Sequence, residues 1–301
     1  MTKIICIGES MIEMAPCATA GTFQMGFAGD TMNTAWYMRQ LMPTSSQVDY
    51  LTAVGTDPVS DQMVRFLDDA GIGTSKIARV PDRTVGLYMI QLNDGERSFS
   101  YWRGQSAART LAQDAVNLTA SLDGADMVYF SGITIAVLPA ADRVSFLDAL
   151  QRYRAQGGTV IFDPNLRPRL WDSTNEMTTT IMQAAAVSDV ALPSHEDEAD
   201  WFGDANPEAT VARYREAGVQ TIIVKNGDGP ILAWNKGEVA KFIPEPVSNV
   251  VDTTAAGDSF NAGFLAAHVA GQPMEQAIGA GAALAAQVIA ARGALVPNCV
   301  S

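Results

Sequence analysis

The chain has little of the chemistry that disulfides and soft metal ions require. Its 301 residues include three cysteines and two histidines, and Cys6, Cys17 and Cys299 are too scattered for a disulfide framework or a zinc site. Basic residues are also scarce. The chain has 20 lysines and arginines against 33 acidic residues, which gives a net charge of −13. This balance opposes binding to nucleic acid and to anionic membrane surfaces. An anionic ligand would need a local cluster of arginines.

Long apolar runs are missing as well. The longest apolar tract, residues 277–286, is too short to span a bilayer and favours a buried helix. The short apolar run before Gly8 predicts a first strand and not a signal peptide, and a reducing cytoplasm fits the cysteine usage. No GxGxxG motif follows Gly8, which disfavours a Rossmann dehydrogenase. Because no repeat or linker interrupts the chain, we expect one domain over residues 1–301.

Short apolar runs alternate with segments of helical periodicity along most of the chain. This alternation predicts an α/β fold with a doubly wound, mostly parallel sheet flanked by helices, in which ligands bind beyond the carboxyl ends of the strands. Strands are predicted at residues 4–7, 48–54, 127–131, 159–162, 190–192, 221–224, 231–234 and 239–243. Helices are predicted at residues 31–41, 57–70, 139–156, 176–187, 208–217, 257–270 and 274–291.

Residues 84–103 depart from this alternation. Two runs of strand-forming residues flank Asn93-Asp94-Gly95, which is a hairpin turn signal. Tyr101 and Arg103 alternate on the second strand and face the same side, and Tyr88 on the first strand could face with them. Two phenols and a guanidinium can bind sugar hydroxyls and a carboxylate. Aromatic packing between the strands would explain the same residues. Residues 17–26 are predicted to have no regular secondary structure.

The most informative stretch is residues 251–261. Small residues, Ala255, Ala256 and Gly257, lead into a helix start, so several backbone N–H groups should point outward unshielded and bind an anion. Asp258 follows directly, where a carboxylate could take a proton from a hydroxyl while the amides stabilise the charge on a transferring phosphoryl group. The alternative is an ordinary helix entry with Asp258 as its first-turn acid.

Three other predicted strand ends carry polar residues. The proline-stiffened loop of residues 163–169 presents Arg167 and Arg169, which predicts either an anion-binding loop or a solvated basic loop. A glycine-rich turn at residues 225–229 places Lys225 where nucleotide phosphates could lie. The acids of residues 194–198 could hold Mg²⁺ directly or through water, or could be the first turn of a helix that Ser194 caps.

Two motifs together resemble the PfkB, or ribokinase-like, family of carbohydrate kinases, and the resemblance covers essentially the whole chain. Residues 252–260 resemble the C-terminal signature of that family, and residues 29–35 resemble its N-terminal glycine motif. Further similarity, at residues 8–13, 94–103, 163–168 and 293–297, is closest to the members that phosphorylate the sugar acid 2-keto-3-deoxygluconate. Ala255 stands where the wider family usually has glycine, and Ser194 and Asp197 replace the usual Asn and Glu of its magnesium-associated motif.

The resemblance implies an ATP- and Mg²⁺-dependent kinase acting on the C6 hydroxyl of this sugar acid, with Asp258 as the base. A kinase of a neutral sugar and a non-catalytic sugar-binding protein are the alternatives. Residues 13–27 and 84–103 would form a lid, whose apolar face favours a homodimer or larger assembly. The implied sugar-binding residues are Glu13, Gly29, Asp30, Asn33, Tyr88, Tyr101, Arg103 and Arg167. The implied nucleotide-binding residues are Asn165, Ser194, Lys225, Gly227, Gly229, Ala255, Ala256 and Gly257. The candidate metal ligand is Asp197 or Glu198.

Overall fold

The structure, a computed structural model, describes residues 2–19, 21–93, 96–297 and 299. Its strands are β1 (Lys3–Ile7), β2 (Met11–Pro16), β3 (Phe23–Ala28), β4 (Gln47–Val54), β5 (Ile77–Arg79), β6 (Gly86–Asn93), β7 (Glu96–Trp102), β8 (Met127–Ser131), β9 (Thr159–Asp163), β10 (Val190–Ala191), β11 (Thr221–Val224), β12 (Ile231–Asn235) and β13 (Glu238–Phe242). Its helices are α1 (Asp30–Leu41), α2 (Pro58–Asp69), α3 (Ala115–Leu122), α4 (Gly132–Val137), α5 (Ala140–Ala155), α6 (Thr174–Ala186), α7 (His195–Phe202), α8 (Pro207–Glu216), α9 (Ala256–Val269) and α10 (Met274–Ile289), with 3₁₀ turns at Ala107–Thr110 and Pro168–Leu170.

Nine of these strands form one large sheet in the order β13-β12-β11-β10-β9-β8-β1-β4-β5. The pairs from β11 through β1 to β5 are parallel, and β12 and β13 continue the sheet as antiparallel strands. This arrangement confirms the predicted fold class. The strand order reverses at β1, which lies between β4 and β8, and ligands of such sheets bind at the carboxyl ends of the strands around this point.

The large sheet is buried on both faces. Ile4 and Cys6 of β1 belong to the apolar cluster that contains α1, α9 and α10 side chains, whereas Ile5 and Ile7 belong to the cluster on the other face, with α3, α5 and α6. Successive side chains of a strand point to opposite faces. A continuous apolar run is therefore what a central parallel strand requires.

The other four strands form a small sheet in the order β3-β2-β6-β7. β2 pairs antiparallel with β3, β6 pairs antiparallel with β7, and the two hairpins are joined by the parallel pair β2–β6. The predicted turn at Asp94-Gly95 lies outside the described residues.

The sequence reading missed part of this small sheet. Residues 23–26 were expected to be irregular, but they belong to β3, and this expectation is wrong. Gln24 and Gly26 have low strand propensity, and the strand is formed by its pairing with β2. β5, α3 and α4 were also not predicted. Among the residues that the structure describes, no helix combines the length and the apolarity that crossing a bilayer requires.

Candidate active site

The turn before α9 carries backbone amides that lack intrahelical partners. Ala255 adopts the left-handed conformation, with φ of +59°, and the helix begins at Ala256. The Ser259 N–H donates to the Ala255 carbonyl at 2.9 Å, which closes the first helical turn. The N–H groups of Gly257 and Asp258 lie inside that turn, where a helix offers no acceptor. These amides and the positive end of the helix dipole favour a bound anion.

Asp258 faces the start of α1 from the first turn of α9. The Asn33 side-chain amide donates to Asp258 Oδ2 at 2.8 Å, and Thr34 Oγ1 donates to the Asp258 backbone carbonyl at 3.2 Å. Burial, together with the negative charge of Asp30, raises the pKa of Asp258 from 3.8 to about 8. A partly buried carboxyl group whose pKa is this close to neutrality suits a general base.

The first turn of α1 lies beside Asp258. Asn165 Nδ2 donates to Asp30 Oδ2 at 2.9 Å. Burial raises the pKa of Asp30, while hydrogen bonds from Ser131 and Asn165 act in the opposite direction. The structure thus groups Gly29, Asp30 and Asn33, three of the predicted sugar-binding residues. Asn165, which was predicted on the nucleotide side, contacts this group.

Three predicted sugar-binding residues form a row across the small sheet. Glu13 pairs with Tyr88, and Tyr88 pairs with Tyr101, in adjacent strands. The Tyr88 hydroxyl donates to the Glu13 carboxylate, and the two tyrosine rings are 5.9 Å apart between centroids. Burial and the Glu13 charge raise the pKa of Tyr88, and Asp258 contributes to the same shift. Glu13, Tyr88 and Tyr101 therefore share one face of the small sheet, and Tyr88 lies within electrostatic reach of Asp258.

The structure pairs Arg103 with a residue that the sequence reading did not single out. Its Nε donates to Glu9 Oε2 at 2.8 Å, and its Nη2 bonds to the same oxygen. Glu9 is buried in the connection from β1 to β2. The signal in the sequence was an acidic residue placed directly after a buried central strand.

Arg167 has different neighbours from Arg103. Its Nη1 donates to the Leu166 carbonyl at 2.7 Å and lies 3.8 Å from Asp197 Oδ2, with about half of the side chain exposed. An exposed pair at this distance is weak. The guanidinium is therefore available to a ligand, and it lies near the amino end of α7.

Lys225 lies between the sheet and the amino end of α9. Its Nζ is 3.4 Å from Asp163 Oδ1 and 3.1 Å from Asn261 Oδ1. A methyl group placed on Gly257 would be 3.6 Å from this ammonium, so the lysine charge lies beside the amides of residues 255–257. The His195 N–H donates to the Lys225 carbonyl at 2.8 Å, which joins α7 to the same place.

The glycine-rich turn after Lys225 completes this side of the site. Gly227 adopts a left-handed conformation, with φ of +56°, and the Gly229 N–H donates to the Asn226 carbonyl at 2.7 Å. Ser194 bridges to Lys225 through the backbone. The structure therefore brings Ser194, Lys225, Gly227 and the turn of residues 255–257 to one end of the large sheet.

Comparison with known proteins identifies the kind of enzyme to which this geometry belongs. Residues 1–299 match the pfkB family of carbohydrate kinases. The chain belongs to this family. It is 38% identical over 302 residues to a 2-dehydro-3-deoxygluconokinase of Haemophilus influenzae, which covers 98% of this chain and 96% of the relative. It is 39% identical over 303 residues to a 2-dehydro-3-deoxygluconokinase of Escherichia coli K12, with 98% and 97% covered.

A solved structure shows the same fold. A putative ribokinase II of Escherichia coli, in complex with ATP and Mg²⁺, superposes with a TM-score of 0.83 at 23% identity and covers 98% of this chain and 94% of that chain. The family resemblance read from the two sequence motifs is thus confirmed.

In this pfkB-family chain, a buried hydrogen-bond network lies beneath the site and was not predicted. Asn261 Nδ2 donates to Asp163 Oδ2 at 2.8 Å and to the Tyr129 hydroxyl at 3.1 Å. The Tyr129 hydroxyl also accepts from Thr34 Oγ1 at 3.3 Å. Asn261 follows Asp258 at helical spacing, so a polar residue on the buried side of α9 was the available signal.

The two candidate metal ligands differ sharply in their surroundings. Glu198 is completely buried, and its carboxylate accepts from Arg213 Nη2 at 2.7 Å and from the Tyr214 hydroxyl at 2.9 Å. Both of its oxygens are therefore bound within the protein. Asp197 is partly exposed, and burial raises its pKa while Arg167 opposes the shift. Of the two candidates, only Asp197 therefore has a carboxylate that is accessible to a metal ion.

No cluster of three or more acidic, histidine or cysteine residues suited to a metal ion occurs in the described parts of the chain. Mg²⁺ commonly keeps several waters and binds one or two carboxylates together with substrate phosphates. Asp197 and Asp163 lie within electrostatic reach of each other and of Lys225. These residues fit a Mg²⁺ ion that arrives with a nucleotide rather than one held by the protein alone.

Proposed function

We propose that this chain is an ATP-dependent kinase that phosphorylates the C6 hydroxyl of 2-keto-3-deoxy-D-gluconate, the sugar acid also called 2-dehydro-3-deoxygluconate. The observation that carries the proposal is the position of Asp258, a carboxyl group of raised pKa that lies between unpaired helix amides and the polar residues of α1. Two relatives that carry this name along nearly their whole length support the choice of substrate.

In the proposed reaction, Asp258 accepts the proton of the C6 hydroxyl as the oxygen attacks the γ-phosphorus of ATP. The bond from the γ-phosphorus to the bridging oxygen breaks, and ADP leaves with the electron pair. Gly29, Asp30 and Asn33 orient the sugar, because the carboxylate, amides and backbone of one helix turn offer both donors and acceptors to hydroxyl groups. Little covalent chemistry is left to the protein, since phosphoryl transfer depends mainly on alignment and charge stabilisation.

On the nucleotide side, the amides of Ala255 and Gly257 and the Lys225 ammonium stabilise the negative charge on the transferring group. The Ala256 N–H, which was also predicted to do so, instead donates to the Thr253 carbonyl at 3.2 Å. Asp197 and Asp163 would hold Mg²⁺, which when bound neutralises charge on the β- and γ-phosphates. Ser194, Gly227 and Gly229 line the same end of the sheet and keep it free of bulky side chains.

Arg103 and Arg167 bind the substrate carboxylate in this proposal. Their guanidinium groups come from different parts of the fold, the end of the small sheet and the loop after β9. If they hold the acid end of the sugar, its far hydroxyl is delivered to Asp258. Arginine is suited to this role because its planar donors match a carboxylate.

We assign the small sheet the role of a lid. Its Glu13, Tyr88 and Tyr101 face the site, and closing it over the sugar would exclude water and limit hydrolysis of ATP. The same sheet exposes apolar side chains on its other face, from which we infer a homodimer or larger assembly. The free cysteines and the use of ATP support a cytoplasmic location in this proposal.

A screen of ADP release over acid and neutral sugars tests the proposal. We expect kcat/KM for 2-keto-3-deoxygluconate to exceed that for fructose or ribose at least tenfold, because a neutral sugar leaves two arginine guanidinium groups unpaired. Comparable rates on fructose would favour a neutral-sugar kinase. No ADP release above the ATP background with any sugar would favour a non-catalytic binding protein.

A further inference from the structure

Glu9 contacts every connection between the large sheet and the small sheet. It lies in the connection from β1 to β2 and is 2% exposed. A methyl group on Gly29, between β3 and α1, would be 2.3 Å from the Glu9 carbonyl oxygen, and one on Gly86, where the chain enters β6, would be 2.9 Å from Oε1. Arg103, where the chain leaves β7, forms the ion pair described above. Larger side chains at the two glycines would displace the glutamate.

The ion pair uses only one edge of the Arg103 guanidinium. Nε and Nη2 both bond to Glu9 Oε2, and Nη1 has no partner among the described residues. The side chain of Glu9 is completely buried and that of Arg103 is 11% exposed. A guanidinium is planar and rigid, so fixing one edge fixes the direction of the other. The free edge of Arg103 is therefore held in one orientation.

The proposed site contains several carboxyl groups besides Glu9 with which an unrestrained arginine could pair. Asp258, Asp30 and Asp163 interact electrostatically with one another, and Tyr88 lies near both Glu13 and Asp258. A flexible arginine next to such a group would pair with one of these carboxylates and would neutralise the base or block the sugar. Glu9 prevents this because its carboxylate is buried on a short connection and cannot leave the guanidinium.

We propose that Glu9 is a positioning residue that gives the enzyme its selectivity for acid sugars, because it holds Arg103 with its free edge open to the substrate carboxylate. The inference rests on the proposed function, in which Arg103 binds that carboxylate. It adds that the selectivity depends on a glutamate that does not touch the substrate. The buried Oε1 of Glu9, which has no hydrogen-bond partner among the described residues, leaves all of the pairing to Oε2.

The test compares two sugars with the full-length protein. One is 2-keto-3-deoxygluconate, and the other is 3-deoxyfructose, in which a hydroxymethyl group replaces the carboxylate. Glu9→Gln keeps the shape and removes the charge. We expect KM for the acid sugar to rise about tenfold or more, because a charge-assisted contact is misplaced, while kcat changes less than threefold and kcat/KM for 3-deoxyfructose is unchanged. Glu9→Asp keeps the charge but retracts the carboxylate by about one bond length, roughly 1.5 Å, and should shift KM in the same direction.

A double-mutant cycle separates positioning from a general effect on the fold. In an Arg103→Gln background, Glu9→Gln should change the ratio of kcat/KM for the two sugars less than twofold. Asp189→Asn is the matched control, because it removes the partner of Arg154 at the amino end of β10, away from the site. It should lower thermal stability without changing the ratio.

Equal losses on both sugars in Glu9→Gln, or the same loss of selectivity with and without Arg103, would overturn the inference. So would a lower KM for the acid sugar, which would mean that Glu9 competes with the substrate. If Glu9→Gln does not fold, the ratio measured for Glu9→Asp decides in the same way. A wild-type enzyme that prefers 3-deoxyfructose would instead contradict the proposed function.

Discussion

In the proposed mechanism the chemistry depends on Asp258, which hydrogen-bonds to the sugar-side helix α1 from the amino end of α9. Its side chain accepts from Asn33 and its backbone carbonyl accepts from Thr34. A change confined to its carboxylate should therefore leave the site assembled and affect only the proton transfer.

Asp258→Asn should lower kcat by about 10²–10⁴-fold, the range typical for loss of a general base. The dissociation constant for the sugar, measured by calorimetry, should change less than about threefold, because the asparagine oxygen can still accept from Asn33. Turnover equal to that of the wild type would remove Asp258 from the mechanism.

The raised pKa of Asp258 also predicts how stability changes with pH. Between about pH 4 and pH 8 the folded protein keeps a proton on this carboxyl group that the unfolded chain has lost. The folded state binds more protons in that window, so the contribution of Asp258 to stability falls as the pH rises. Asp258→Asn removes this contribution, and its urea midpoint should therefore fall less from pH 5 to pH 8 than that of the ligand-free wild type. The pKa of Asp30 is also raised, so the urea midpoint of Asp258→Asn should still fall somewhat with increasing pH. Parallel profiles for the two proteins would show that Asp258 does not titrate in this range.

The left-handed conformation of Ala255 gives a prediction about stability. A left-handed conformation costs a non-glycine residue about 1–2 kcal/mol. Replacing alanine with glycine has the opposite effect on stability, because it raises the conformational entropy of the unfolded chain, and this lowers the free energy of unfolding by about 0.4–1 kcal/mol. Ala255→Gly should therefore raise the free energy of unfolding by about 0.5 kcal/mol. The control is Ala283→Gly, at an exposed residue in the middle of α10, which should lower it by about 0.5–1 kcal/mol. Destabilisation of similar size in both variants would contradict the strain at Ala255.

At the scale of elements, the end of β9 and the loop after it carry two kinds of predicted site residue. Asp163 and Asn165 are fixed by hydrogen bonds to Asn261 and Asp30, whereas Arg167 is half exposed. The fixed start of this segment therefore presents an exposed cation at its end. This arrangement suits the capture of a charged substrate. Because the loop is already ordered in the folded protein, little further conformational entropy is lost when the substrate binds.

Arg167→Leu should raise KM for 2-keto-3-deoxygluconate about tenfold, since a charge-assisted hydrogen bond is lost, and should leave KM for 3-deoxyfructose unchanged. Arg169→Leu is the matched control, because Arg169 is exposed in the same loop and has no assigned role. Equal effects on the two sugars, or equal effects of the two substitutions, would count against binding of the carboxylate by Arg167.

At the scale of the whole molecule, the sequence predicts the large sheet better than the small one. Central strands such as β1 are continuous apolar runs, and their burial on both faces can be read directly. β3 has no such signal, because pairing with β2 and not local propensity makes it a strand.

The same distinction holds in the site. The exposed amides around Gly257 and the adjacent acid Asp258 can be predicted from the sequence, because the residues that form them are neighbours in the chain. The pairing of Glu9 with Arg103 and the network around Asn261 join residues 94 and 98 positions apart, and only the folded chain brings them together.

One face of the small sheet packs in part against Met63 of α2, through Ile12 and Leu87, and leaves other apolar side chains exposed. By strand register, Met25 and Trp102 lie on the face opposite Tyr88, and they are 45% and 59% exposed. β3 and β7 are also the edge strands of this sheet, and an edge strand can pair with a strand of another chain. We expect the protein to sediment as a dimer of two 32.0 kDa chains. Met25→Glu should shift it to the monomer by burying a charge at the interface, whereas Val116→Glu, at an 81% exposed residue of α3, should not. A wild-type protein that sediments as a monomer at all concentrations would show that the small sheet functions without a second copy.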